Sequence, residues 1–301
     1  MRSRFLTAAT AAFLILAFSY NSRADDCGVC SAPSRSGSLI GMGGIEYLVQ
    51  QQQEDVSPYY AEFRMGGLYD SRVGSASGSA DAGEDTALTS RLAAGWQSPL
   101  MGNAGLRIDY RGYMDFHHNY NEFNMIDQSL SLEPLYKAGS FIFSLPLSFN
   151  ITFEDSKHDY NKYAVSPTLT YLIPSTRQAL ALYGMVARID DQDDDKWLDE
   201  NGKVLGGGCA YLYYFENKSR VRLSLDYQHT KYDAEVWQYG TSSSSTEKRE
   251  NDAIVAGLDI LWQLTKNFGL FINYSFIHSN SNVDLYEYDR HLVEGGLALR
   301  F

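Results

Sequence analysis

The chain has 301 residues, with 25 Lys and Arg against 37 Asp and Glu and a formal net charge of −12. This acidity argues against a nucleic-acid-binding protein, because phosphates require Lys and Arg. The chain also contains 22 Tyr, 15 Phe and 25 Gly, yet after residue 24 no stretch is apolar for long enough to form a transmembrane helix. Such a composition is typical of a transmembrane β-barrel, whose strands show only half of their residues to lipid.

The first 24 residues are predicted to be a secretory signal peptide. Arg2 and Arg4 form a basic start, residues 5–18 are apolar, and Ser22 and Ala24 are small residues at the two key cleavage positions. Cleavage after Ala24 removes three arginines and no acid, so the charge moves from −12 to −15. We therefore expect an exported protein that resides in the bacterial outer membrane.

Residues 25–58 are predicted to form a periplasmic N-terminal extension or a short plug, and an additional strand pair from the residues beyond 38 is an alternative. This segment contains Cys27 and Cys30. Ser31 follows the pair, where a haem attachment would need His, and a zinc site would need further ligands nearby. A disulfide formed in the oxidising periplasm is the prediction, and redox activity is the alternative.

Residues 59–301 are predicted to form the barrel. The clearest strand is 141–153, where Phe and aliphatic residues alternate with Ser, Asn and Thr in the period of two that marks a half-exposed strand. Pro146 interrupts it, because proline cannot donate to a sheet ladder. The other predicted strands are 59–70, 86–97, 103–114, 125–137, 161–173, 178–190, 204–215, 219–229, 252–264, 267–278 and 292–301.

The connections between these strands alternate in length. Those near 71–85, 115–124, 154–160, 191–203, 230–251 and 279–291 are long and polar, and the five between them are short. The predicted fold class is therefore all-β, a transmembrane antiparallel up-and-down β-barrel of about twelve strands, with short periplasmic turns and long extracellular loops. A soluble antiparallel barrel or sandwich is the alternative.

Charged residues within the strands are predicted to face the lumen, because an ionised side chain on the lipid face costs roughly a few kcal/mol. Their charges either line a polar channel and select its solute, or pair with one another and fill a narrow barrel. The predicted lumen-lining residues are Glu62, Arg64, Arg91, Arg107, Asp109, Arg111, Glu133, Arg220, Arg222, Asp226, Asp259, Glu294 and Arg300.

One predicted loop is densely acidic. Its carboxylates Asp191, Asp193, Asp195 and Asp199 are of the type that binds hard cations such as Ca²⁺ through oxygen. We expect weak divalent binding that bridges the phosphates of lipopolysaccharide, and a solvated surface loop is the alternative. No other cofactor is predicted.

Catalysis is considered because His117 lies beside Asp115, and because His278 precedes Ser279 in the chain. A nucleophile and its base must be hydrogen-bonded. Ser279 would face the opposite side of a strand from His278. We therefore predict that the protein is not an enzyme, and keep an outer-membrane hydrolase as the third possible function.

The C-terminal region carries a resemblance. An Asn- and Asp-rich loop precedes the step Tyr288-Asp289-Arg290, and a closing strand of alternating apolar residues ends on Phe301. This pattern resembles the end of the barrel domain in surface lipoprotein assembly modifier proteins, which implies an outer-membrane barrel. Full members of that family carry an N-terminal helical-repeat domain, for which residues 25–58 are too short. The last residues also resemble the signal read by the barrel assembly machinery, an expected partner.

The sequence therefore predicts a porin or small-solute channel, embedded in outer-membrane lipid and lipopolysaccharide. The alternative of another class is a non-conducting structural or interaction barrel with acidic surface loops. Phe301 is predicted to end the strand that closes the barrel, on its lipid face.

Overall fold

A computed structural model of the protein describes residues 57–73, 83–155, 157–192, 201–237, 246–283 and 286–301. Twelve antiparallel strands close into one barrel, which confirms the predicted fold class. The strands are β1 (Tyr59–Val73), β2 (Gly83–Gln97), β3 (Ala104–His117), β4 (Met125–Ala138), β5 (Phe141–Ser144 and Leu147–Glu154), β6 (Lys157–Val165 and Thr168–Leu172), β7 (Gln178–Asp191), β8 (Gly202–Tyr214), β9 (Arg220–Trp237), β10 (Thr246–Gln263), β11 (Phe268–Ser281) and β12 (Tyr288–Arg300).

The first and last strands close the barrel. β12 pairs antiparallel with β1, with Arg300 opposite Glu62 and Leu299 opposite Phe63. Beyond β12, the backbone N–H of Phe301 donates to the carbonyl of Ala61 at 2.9 Å, and the Phe301 side chain is exposed. Closure leaves no unpaired edge among the strands that the structure describes, which is the condition for a sheet in a lipid environment.

Two strands are broken by prolines that lie side by side. Pro146 separates the two parts of β5, and Pro167 separates the two parts of β6. Neither residue can donate to the ladder, but both accept: Ser166 N–H donates to Pro146 and Gly184 N–H donates to Pro167, each at 3.0 Å. Both parts of each strand keep the same neighbours, so each proline interrupts one barrel strand without ending it.

Alternation along β7 explains why its sequence is apolar on both faces. Leu180, Leu182 and Val186 are 47–61% exposed on the outer wall, where lipid would cover them. Ala179 and Ala181, which alternate with them, are buried inside the barrel. Both faces are apolar because the interior itself is apolar along this strand.

Several strands are longer than predicted. The long connection predicted over 154–160 is wrong, since β6 begins at Lys157 and a tight turn containing Asp155 (φ 45°) precedes it. β9 and β10 also extend through much of the predicted loop 230–251. On these extensions Lys231 donates to Glu250, an ion pair that lowers the pKa of the Glu250 carboxyl. Polar residues therefore continue the ladder beyond the apolar outer wall.

The predicted signal peptide and the region of residues 25–56, with the Cys27–Cys30 pair, lie outside the described residues. Asp193, Asp195 and Asp199 of the acidic loop also lie outside them. Over the part of the chain that is described, no helix is both long and apolar enough to cross a membrane.

Candidate functional site: the barrel interior

Charged side chains meet inside the barrel near its periplasmic end, where β1 begins and β12 ends. Arg64 Nε is 2.7 Å from Glu62 Oε1 and its Nη1 is 2.7 Å from Asp259 Oδ2. Arg220 approaches both carboxylates at 3.4 Å, and Arg300 Nε is 2.8 Å from Glu62 Oε2. We call these five residues the basal cluster. It joins four strands with three guanidinium groups and two carboxylates.

A second group surrounds Arg107 on β3. Arg107 Nη2 lies 2.6 Å from Asp109 Oδ2, and its Nη1 lies 3.5 Å from Glu133 Oε2 on β4. Its guanidinium also donates to the Tyr60 hydroxyl at 2.9 Å, and that hydroxyl donates to Asp109. Arg107 has no exposed surface. This arginine faces the interior, but it neutralises two acids there and meets no solvent.

At mid-depth Arg91 on β2 reaches Glu294 on β12, with Arg91 Nε 3.2 Å from Glu294 Oε1. Glu294 also accepts from the Thr89 hydroxyl at 2.6 Å and from Asn273 Nδ2 at 2.9 Å. The Arg91 guanidinium lies 4.8 Å from the centre of the Tyr113 ring. Sequence reasoning missed Thr89 and Asn273, because it sought inward residues by their charge alone.

Three further predicted residues lie at inward positions. Asp226 on β9 accepts from the Tyr183 hydroxyl of β7, which reaches across β8. Arg222, four residues before Asp226 on the same strand, is also buried. Arg111 on β3 is half-buried, and its cross-strand partner is Ser129 of β4. The interior contacts described so far join side chains of adjacent strands, or of strands separated by a few others in the barrel.

The extracellular end contains charges that the sequence did not predict. Arg290 Nε donates to Asp70 Oδ1 at 2.9 Å, and both residues are buried. Arg249 is stacked between two rings, with its guanidinium 3.5 Å from the centre of the Tyr232 ring and 4.2 Å from that of Tyr286. Arg249 and Arg290 were missed because the predicted strands 252–264 and 292–301 begin after them, and Asp70 was missed although it is the last residue of the predicted strand 59–70. Longer alternation windows could have found the two arginines.

The histidine candidates do not form an accessible hydrolytic site. His117 Nδ1 is 3.4 Å from Asp85 Oδ2, and its Nε2 is 3.9 Å from Asp115 Oδ2. All three side chains are fully buried. His278 instead pairs with Asp289 on the outer wall at 2.7 Å, whereas Ser279 is buried on the opposite face. His278 and Ser279 therefore do not come together.

An apolar core occupies one side of the interior. Near the periplasmic end of β4–β8, the aliphatic side chains of Leu135, Ile142, Leu172 and Leu212 pack around small alanines, and each is at most 4% exposed. We call this group the apolar cluster. The interior is therefore divided between a charged side, built mainly on β9–β12 and β1–β3, and an apolar side.

The predicted metal site is described only at Asp191. This residue ends β7, and its backbone N–H donates to Asn201 Oδ1 at 3.1 Å. Among the described residues, no group of three or more His, Cys, Asp or Glu side chains is placed to hold a metal ion. Divalent binding by the acidic loop therefore stays a prediction.

No protein-family model and no curated protein sequence matches the chain. Solved structures do resemble it. A COG4313 outer membrane channel from Pseudomonas putida F1 is 11% identical, with 81% of this chain and 94% of that chain covered and a TM-score of 0.50. The NanC porin (11% identity, 79% and 98% covered, TM-score 0.45) and the KdgM porin (12%, 80% and 99%, 0.43) are also similar.

At these identities the likeness shows the fold alone, and that fold is an outer-membrane β-barrel. The predicted relation to assembly modifier barrels is a finer statement and stays a prediction. The class agrees with the apolar outer wall and the charged interior, since both are expected of a barrel that spans lipid.

Proposed function

We propose that this protein is a narrow channel for small polar solutes in the bacterial outer membrane. One observation carries the proposal: polar side chains that face the interior at mid-depth keep exposed surface. Arg91 retains 22% of its side-chain exposure, and Arg111, Ser129, Ser131 and Asn273 are also only half-buried. In a closed barrel with a filled interior, inward side chains at this depth would be covered.

The route of the solute follows from the division of the interior. The buried side chains of the apolar cluster occupy the interior near the periplasmic end of β4–β8. The path therefore runs beside the charged side, past Arg91 and Arg111 at mid-depth and past Arg300, whose side chain is 20% exposed, near the periplasmic end. Ion pairs with Glu294 and Glu62 hold Arg91 and Arg300 against the wall, which keeps the path narrow and polar.

A second candidate is a non-conducting barrel with a structural or interaction role. It is supported by the burial of Arg107, Asp70 and Arg290, because charges with almost no exposed surface do not contact a solute. The outer-membrane location, the signal peptide, and contact with lipopolysaccharide and the barrel assembly machinery belong to either proposal. Neither proposal includes catalysis.

The two candidates are separated by planar-bilayer recording on the refolded full-length protein, with folding verified by heat-dependent gel mobility. A channel gives single-channel steps. The variant Ser131→Trp places a large ring in the path and should reduce the conductance by about half or more, since a side chain of this size fills much of a small lumen.

The matched control is Leu132→Trp. Leu132 is the next residue of β4 and is 41% exposed on the outer wall, where an indole is well accommodated by lipid. Its conductance should equal that of the unaltered protein. Folded protein that gives no single-channel current steps would support the non-conducting barrel. Equal conductance of the two Trp variants would show that the solute does not pass Ser131.

A further inference from the structure

A few arginines inside the barrel are more exposed than the acids, although Arg107 and Arg220 are as buried as the acids are. The inward acids Asp109, Glu133, Asp226, Asp259 and Glu294 are each at most 7% exposed. Among the predicted lumen-lining residues, the side chains that keep the most surface include Arg91 at 22% and Arg300 at 20%, against 13% for Glu62. The predicted lumen-lining residues contain nearly equal numbers of acids and bases. The surface that they expose to a solute nevertheless belongs mainly to the bases.

Burial of the acids has a structural cause. Several of these carboxylates are approached by more than one donor: Glu294 by Arg91, Thr89 and Asn273, and Asp259 by Arg64 and Arg220. In the Arg91–Glu294 pair the carboxylate is 2% exposed and the guanidinium side chain is 22% exposed. The surface that this pair shows to the lumen is therefore mainly that of the cation.

Arg91 and Arg111 are close together on the wall. Arg91 is opposite Tyr113 on β3, and Arg111 lies two residues earlier on that same inward face, opposite Ala93. The hydroxyls of Ser129 and Ser131 continue the row onto β4, where Ser129 is the cross-strand partner of Arg111. Two guanidinium groups and two hydroxyls are thus gathered on three neighbouring strands, and all four side chains are half-buried.

We propose that Arg91, Arg111, Ser129 and Ser131 form an anion-binding station, and that the solutes of the channel are small organic oxyanions that carry hydroxyl groups. This rests on the proposed channel function. Guanidinium groups bind carboxylate and phosphate oxygens with paired hydrogen bonds, and serine hydroxyls both donate to and accept from the hydroxyls of a solute. An exposed cationic surface in a narrow lumen also raises the local anion concentration.

The test is the reversal potential of the folded protein in a KCl gradient at low salt. The unaltered protein should prefer chloride over potassium. Arg111→Gln alone, which leaves the Arg91–Glu294 pair in place, should lower that preference about fivefold, the effect of one unit charge at about 4 Å in water. Arg91→Gln/Arg111→Gln removes two charges and should lower the preference by a larger factor. The single variant keeps the test valid if the double variant does not fold.

The matched control is Arg188→Gln, which removes the same charge from a side chain that is 42% exposed on the outer wall. Its reversal potential should not change. Potassium gluconate and glycerol phosphate are then added on one side of the bilayer. Each should reduce the chloride current of the unaltered protein, and should reduce that of the double variant less. A reduction by only one of them would identify the bound group as a carboxylate or as a phosphate.

Failure of the two proposals can be distinguished. An absence of any conductance by folded protein removes the channel itself. Steady conductance that favours potassium would support the channel and contradict the anion-binding station. A chloride preference that is the same in the Arg111 variants and the Arg188 control would have the same meaning.

Discussion

At the scale of single residues, the same residue type has two different roles inside this barrel. Arg107 has no exposed surface and neutralises Asp109 and Glu133, whereas Arg91 keeps exposed surface on the lumen side. Both face the interior because alternation along a strand places them there. Only the neighbouring strands decide whether such an arginine also meets water.

Replacement of Arg107 is expected to affect stability. Arg107→Gln leaves two buried carboxylates without their cation, and breaking a buried ion pair by removing one partner costs about 3–5 kcal/mol. The urea midpoint of the protein in lipid vesicles should fall accordingly. Arg188→Gln, an exposed arginine, should change the free energy of unfolding by less than about 1 kcal/mol. Equal midpoints for the two variants would contradict the role of Arg107 in packing.

The sequence was sufficient to name Arg91, Arg107 and Glu294 as interior candidates, because the two-residue period is independent of any tertiary information. It could not rank them by exposure, which depends on contacts across strands far apart in the chain. Arg249 and Arg290 were missed for a related reason: pairing with a neighbour, and not the strand's own pattern, sets where each strand ends.

At the scale of elements, the junction of β1 and β12 depends on glycine. Gly66 pairs with Gly296, and the two backbones approach so closely that a Cβ on Gly296 would lie 2.1 Å from the Met65 carbonyl oxygen. A Cβ on Gly66 would lie 2.3 Å from the oxygen of Gly295. Neither position has room for a side chain unless the strands move apart. In the middle of the closing pairing, the two strands therefore meet through residues without side chains.

Gly296→Ala is expected to destabilise the closed barrel by about 1–3 kcal/mol, because overpacking forces backbone shifts. The fraction of compact, heat-modifiable protein after refolding and the urea midpoint should both fall. Gly67→Ala is the matched control in the same seam, since nothing lies within 4 Å of the Cβ that it would add. The control should be neutral or slightly stabilising. Equal refolded fractions and urea midpoints for the two variants would show that the junction of β1 and β12 tolerates a wider strand spacing than the structure has.

At the scale of the whole molecule, the twelve-stranded closed barrel could be predicted because it follows from alternation, turn spacing and the need to pair every edge. The division of its interior into charged and apolar sides could not. Ala179 on β7 and Leu212 on β8 alternate with outward residues that are equally apolar, so the sequence does not reveal that these inward residues pack together like the core of a soluble domain.

That division predicts different costs for two leucine truncations. Leu212→Ala removes a side chain that is 1% exposed in the apolar cluster, so it should cost about 3–5 kcal/mol, because lost burial and a cavity both contribute. Leu182→Ala on the outer wall, where Leu182 is 61% exposed, leaves no cavity and should cost about 2 kcal/mol. Urea unfolding in vesicles measures both. Neither variant should change the conductance, since the solute path follows the charged side. A rise in conductance for Leu212→Ala would instead place the apolar cluster at the edge of the path.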